Sequence, residues 1–189
     1  ERAAEQGGTV RIPNRAAARI LSEEWGELRF TYDGEDYRLP MNGAFQVDNA
    51  LTAVEVVRCL QEKGFAMEGE AIRNGLASSR LPCRQEVVCR RPLILLDGAH
   101  NPDGVRGFVS SLERLLPTKE GTLLIGMLRD KDTACCVEML APLFAHVVCT
   151  KPANPRAMEP ALLARQIGEA CMDVMVEPDS IKALALARQ

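Results

Sequence analysis

The sequence predicts an α/β fold with a mostly parallel sheet over its second half, preceded by a smaller α+β segment. Three observations carry this. Short apolar runs (LILLD, TLLIGM, HVVCT and DVMVE) recur after Pro82. Between them lie segments with helical spacing, and such strand–helix alternation argues parallel strands joined by crossovers. Before Pro82 the texture differs: an alternating pair of segments around a turn, then two helices, so a boundary is placed between residues 1–82 and 83–189.

The elements follow in order. Residues 1–26 carry only one strand candidate, TVRIP. ELRFTY and YRLPM flank DGED, and alternation around Asp-Gly reads as a β-hairpin. In FQVDNALTAVEVVRCLQEKG, Val47, Leu51, Val54, Val57, Cys59 and Leu60 fall at helical spacing, with Gly64 as a C-terminal cap. A second helix spans roughly Glu68 to Ser78. RQEVVCR is an amphipathic strand, whereas PLILLDGAHN is continuously apolar, as in a sheet covered on both faces. The following helix begins with Pro102 in its first turn. Further helices are expected in DKDTACCVEMLAPLF, in EPALLARQIGEAC and from Asp179 onward.

Composition narrows the function classes. The chain is 47% hydrophobic and 26% charged with a net charge of −3, the profile of a globular protein with a core. No basic patch is evident and aromatics make up 4%, so neither a nucleic-acid surface nor a base-stacking platform is expected. No apolar run reaches membrane length. Seven cysteines without a CxxC pair, mostly in apolar runs, predict buried free thiols in a reducing cytoplasm. Only His100 and His146 are available as imidazole ligands, and no metal site is expected from these residues. The chain opens at ERAAEQGGTV and stops within the helical pattern SIKALALARQ, so a fragment of a longer protein is expected.

The sharpest chemical feature is LILLDGAHNPDGVRGF. An apolar strand ends in Asp97, a Gly-Ala turn follows, and His100 and Asn101 precede a helix. In open parallel sheets, ligands bind beyond the carboxyl ends of strands. A carboxylate there suits ribose hydroxyls, and the free amides of a helix start favour an anion. The other reading is that Asp97 and Asn101 only cap the helix and His100 is a satisfied surface histidine; the residues alone leave both open. Lys131, between Asp130 and Asp132, follows another strand, and Arg156 follows the next. Either could line the same crevice, with Arg156 suited to a carboxylate, or simply be solvated.

DGAHNP after an apolar strand resembles the signature of the folylpolyglutamate synthases and dihydrofolate synthases, within the wider Mur ligase superfamily. GAFQVDNALTAVEVVRCL, NGLASSRLPCRQEVV, GMLRDKD and the Pro-Arg-Ala of KPANPRAMEP are similar to family segments in the same order. The resemblance runs from about Gly43 onward. It implies a Rossmann-like C-terminal domain over residues 83–189, truncated, with residues 1–82 as the end of a central ATPase domain. It also implies an ATP-dependent ligase that activates a carboxylate as an acyl phosphate and joins it to L-glutamate, the other substrate being folate or dihydropteroate. Under it Asn49 contacts adenine, Arg84 the nucleotide and Asp97 ATP at the ribose, while His100 lies near glutamate and the transferring phosphate. ATP and Mg²⁺ are the implied cofactors, the metal ligands lie upstream, and a monomer is expected.

Three departures accompany the resemblance. Cys83 stands where the family has Gly, a position that asks for positive φ. Asp103 adds a negative charge near the helix start. No GxxGK[ST] phosphate loop occurs. Taken alone, the chain could therefore be a nucleotide-binding or regulatory module without catalysis. A hydrolase built on Asp97 and His100 lacks any further acid–base partner.

Overall fold

The computed structural model describes residues 5–7, 10–116, 118, 120–171 and 173–189, with the side chain of Glu169 left aside. It contains two compact units, Glu1–Asp97 and Gly98–Gln189.

The first unit is built on an antiparallel meander of β1 (Ala18–Glu24), β2 (Glu27–Tyr32) and β3 (Glu35–Leu39). Alternation in β2 turns Leu28, Phe30 and Tyr32 inward, where each is 1% exposed or less. They pack with Tyr37 and Leu39 against Val47, Ala50, Leu51 and Val54 of helix α1 (Ala44–Glu62) and Leu76 of helix α2 (Gly69–Ser78). The rings of Phe30 and Tyr37 stack with centroids 5.4 Å apart. The β2–β3 turn has positive φ at Asp33 (50°) and Gly34 (83°), the backbone that an Asp-Gly hairpin turn needs. Helix α1 ends as its composition predicts, with Gly64 at φ 91° and its N–H donating to the carbonyl of Gln61.

One expectation fails at the start of this unit, and one strand there was not expected. TVRIP is not a strand: Thr9 lies outside the described residues, and Val10–Pro13 carry no regular structure. Arg11 instead spans to Glu55 and Glu62 of α1. The edge strand β1 has no counterpart in the sequence reading. Its alternation breaks at a bulge between Ile20 and Ser22, which leaves Leu21 half exposed.

Strands β4 (Glu86–Arg90) and β5 (Leu93–Leu96) form a separate antiparallel hairpin, joined across the cis Arg91–Pro92 bond. This corrects the reading of PLILLD as a strand covered on both faces. Leu93 and Leu96 are 36% and 44% exposed, because a two-stranded ribbon leaves much of its surface open. The Arg90 guanidinium donates to the carbonyl of Trp25, which ties the hairpin to the β1–β2 turn.

The second unit is the expected parallel α/β layer. Strands β6 (Thr122–Ile125), β7 (His146–Cys149) and β8 (Asp173–Val176) pair in that order, all parallel. Helices α3 (Pro102–Leu115), α4 (Thr133–Leu140), α5 (Pro160–Ile167) and α6 (Ser180–Ala187) alternate with them. The middle strand is the most buried: Val147, Val148 and Cys149 are fully covered, packed in a core with Val105, Cys136, Val137 and Leu163. Of the seven thiols, Cys136, Cys149 and Cys171 are buried, Cys59, Cys89 and Cys135 are half-buried, and Cys83 is exposed, so the expectation of buried thiols holds for three. Burial pushes the Cys149 thiol up to about 11. Among the described residues, no helix is long and apolar enough to cross a membrane.

Candidate functional site

The six residues singled out from the sequence divide between the units. Asn49, Arg84 and Asp97 belong to the first, and His100, Lys131 and Arg156 to the second.

Asn49 sits on the exposed side of α1, its amide donating to Gln46 Oε1 at 3.0 Å. It lines a cavity of about 330 Å³ together with Met41, Ala53, Leu76 and Leu81. The mixture of apolar walls and a side-chain amide suits a flat heterocycle with edge donors and acceptors.

Arg84 is half-buried within a strained turn. Cys83 and Gln85, on either side of it, have φ of 58° and 47°, conformations that side chains with a Cβ avoid. Two carboxylates hold the turn: Glu86 accepts the Cys83 N–H at 3.0 Å, and Asp97 Oδ2 accepts the Gln85 N–H at 2.9 Å. The backbone expected of the usual glycine is thus present with Cys83 in its place. Gln85, unremarked in the sequence, is 1% exposed and is the plug of this turn.

His100 is exposed just before α3. Its Nδ1 lies 2.8 Å from the carbonyl oxygen of Gly98. A carbonyl only accepts, so Nδ1 carries the proton and Nε2 of the neutral ring is left as an acceptor. Asn101 is the N-cap of α3, accepting the Gly104 N–H at 2.8 Å, and Pro102 occupies the first turn. The capping role weighed for Asn101 is therefore present.

Lys131 and Arg156 are brought together. They lie on the loops after β6 and β7, beyond the carboxyl ends of parallel strands. Both approach Asp130 Oδ2, Arg156 at 3.0 Å and Lys131 at 3.9 Å. The loops are stapled by an isolated bridge between Leu128 and Ala157, with Arg129 N–H donating to Arg156 O and Met158 N–H to Met127 O. They also approach closely at Gly126, where a Cβ would stand 2.7 Å from Pro152 Cδ and 3.0 Å from Thr150 O. Arg129, which sequence reasoning passed over, donates from Nη2 to Pro155 O at 2.8 Å. The only sequence signal for it was its place beside the Lys131 motif.

Among the described residues, no group of three or more His, Cys, Asp or Glu side chains is placed to hold a metal ion.

The Mur ligase, glutamate ligase domain matches residues 83–189. The chain belongs to this Mur ligase family. Folylpolyglutamate synthase of Lacticaseibacillus casei is 35% identical over 144 residues, covering 72% of this chain and 33% of that protein. Among solved structures, Mycobacterium tuberculosis folylpolyglutamate synthase complexed with ADP superposes with a TM-score of 0.82 at 26% identity, over 98% of this chain and 43% of that one. A bifunctional folylpolyglutamate synthase/dihydrofolate synthase with Mn, AMPPNP and L-glutamate bound gives 0.72 at 28% identity, over 99% of this chain and 43% of that one. The chain therefore spans about a third of the length of the curated relatives it matches. This Mur ligase chain has its parallel β6–β7–β8 sheet within the matched span, and the matched span begins at the strained turn around Arg84.

Proposed function

We propose that the whole protein carrying this chain is an ATP-dependent ligase that adds L-glutamate to folate, to dihydropteroate or to both. The observation that carries this reading is the likeness, over 98% of the chain, to a folylpolyglutamate synthase complexed with ADP. In this reading a domain boundary falls after residue 82, where the family match begins. Asn49 receives adenine, Arg84 the phosphates and Asp97 the ribose. ATP transfers its γ-phosphoryl group to the substrate carboxylate, forming an O–P bond and releasing ADP. The glutamate nitrogen then attacks the acyl carbon, phosphate leaves, and the nitrogen gives up a proton. His100 Nε2, an acceptor once Nδ1 is held by Gly98, is the group for that proton. Arg156 and Lys131 bind a carboxylate of the incoming glutamate. A divalent metal, Mg²⁺ in this reading, supplies charge neutralisation at the phosphates, with its ligands outside the residues described. The protein acts as a cytoplasmic monomer, without nucleic-acid or membrane partners.

A second reading, a nucleotide-binding module without catalysis, is favoured for the isolated chain by its lack of GxxGK[ST]. One assay separates them. The whole protein, given ATP, Mg²⁺, L-glutamate and either tetrahydrofolate or dihydropteroate, is expected to form an amide product with stoichiometric ADP. Nucleotide binding without product would support the second reading and overturn the first.

A further inference from the structure

We propose that Asp130 is a positioning residue for the incoming amino acid, holding Arg156 and Lys131 as a ready-made cation pair. The inference rests on the reading that this pair binds a glutamate carboxylate. The backbone of Arg156 is fixed from several sides. Its carbonyl accepts the Arg129 N–H at 2.9 Å, its own N–H donates to Asn154 Oδ1 at 2.8 Å, and Arg129 Nη2 grips the preceding carbonyl of Pro155. Its side chain is not fixed by packing, being 62% exposed. A long exposed arginine spreads over many rotamers, and ordering it on substrate arrival costs side-chain entropy. Asp130 removes that cost in advance. It belongs to the stapled loop, so its carboxylate is presented from a fixed backbone, and it draws Arg156 Nη1 to 3.0 Å. The same oxygen lies 3.9 Å from Lys131 Nζ. Without the carboxylate the two cations would repel each other and separate. With it, both charges point at one place, and the planar guanidinium keeps further N–H donors for an incoming carboxylate.

The consequence is a selective effect on acceptor binding. In the whole protein, Asp130→Ala is expected to raise KM for L-glutamate about fivefold, the scale of one exposed ion pair. The turnover number and KM for ATP stay within about twofold, a split that general structural damage would not produce. Asp130→Asn, which keeps an acceptor but not the charge, falls between. Arg156→Ala raises KM for L-glutamate by more than Asp130→Ala, and adding Asp130→Ala to it raises KM by clearly less than it does alone, because only Lys131 is then left for it to hold. If Arg156→Ala raises KM while Asp130→Ala leaves it unchanged, or if the two effects multiply independently, the positioning role is overturned and the carboxylate-binding reading stands. If Arg156→Ala itself leaves KM for L-glutamate unchanged, the carboxylate-binding reading falls, and the inference with it.

Discussion

The two units solve the problem of positioning polar groups in opposite ways. In the first, an antiparallel meander closes an aromatic core and admits a charge into it. Glu55 is buried, and its carboxylate accepts from Tyr32 Oη at 2.8 Å and Arg58 Nη1 at 2.6 Å as well as from Arg11. Among the described residues of the second, the buried polar ones are Ser111, Thr133 and Thr150, all neutral, and Asp130, Lys131 and Arg156 meet on loops beyond the strand ends. A parallel sheet delivers successive strand ends to one edge, so loop residues converge there without a buried network to hold them. The meander has no such common edge, and its polar groups are held through the core or by strained turns. Both units leave apolar side chains open, Ile12 and Phe65 in the first and Ile181 and Leu184 in the second, around cores in which Leu28 and Phe30, or Val147 and Val148, are sealed.

The largest expected effect tests the aromatic core that the first unit closes around its polar groups. Phe30→Ala removes a fully buried ring and should destabilise the first unit by about 3–5 kcal/mol. Ile181→Ser, at an exposed position of α6, should change stability by less than about 0.5 kcal/mol. Urea unfolding of both variants measures this, and similar losses would break the contrast between a sealed core position and an exposed apolar one.

A smaller effect tests the buried charge. Burial alone would raise the Glu55 carboxyl, but hydrogen bonds from Tyr32 and Arg11 and the charge of Arg58 outweigh it, and the group is held below its ordinary value. A depressed folded value means that the stabilisation is complete above the ordinary carboxylate range and is lost as pH falls through the folded value. Glu55→Gln should therefore cost about 1.5–3 kcal/mol near neutrality, the worth of hydrogen bonds to a charged group. The gap between variant and parent should narrow as pH drops below about 4. Thermal unfolding across that range checks the sign: a gap that widens in acid would show that the network does not favour the ionised carboxylate.

How much was legible follows the same division. The parallel strands and their helices stood out because each is an apolar run bounded by turn residues, and the hairpin at Asp33-Gly34 because its turn chemistry is local. Strand β1 was hidden by its bulge, since alternation is the signal and a bulge shifts its phase. The openness of β5 was hidden because LILL reads the same whether or not a second layer covers it. At the site, Lys131 and Arg156 could be named individually as strand-end cations. Their meeting at Asp130 depends on the Leu128–Ala157 staple, a contact between loops far apart in sequence that no spacing rule encodes.

The smallest expected effect concerns Cys83, where a local rule and the sequence disagree. A residue with a Cβ at φ 58° sits in the left-handed region, at a cost of roughly 1–2 kcal/mol. Glycine removes that strain but adds freedom to the unfolded chain, a loss of roughly 0.5–1 kcal/mol. The side chain of Cys83 is exposed, so little packing is lost on its removal. Its backbone N–H still reaches Glu86 in either case. The balance predicts that Cys83→Gly stabilises the first unit slightly, by about 0.5 kcal/mol. The test is the denaturant midpoint of the variant against the parent at unchanged slope. A clear fall in the midpoint would mean that the stiffness of cysteine, rather than its strain, governs this turn. The loss of stability would then be read at the Arg84 turn itself, where Asp97 and Glu86 hold the same backbone from the side-chain end.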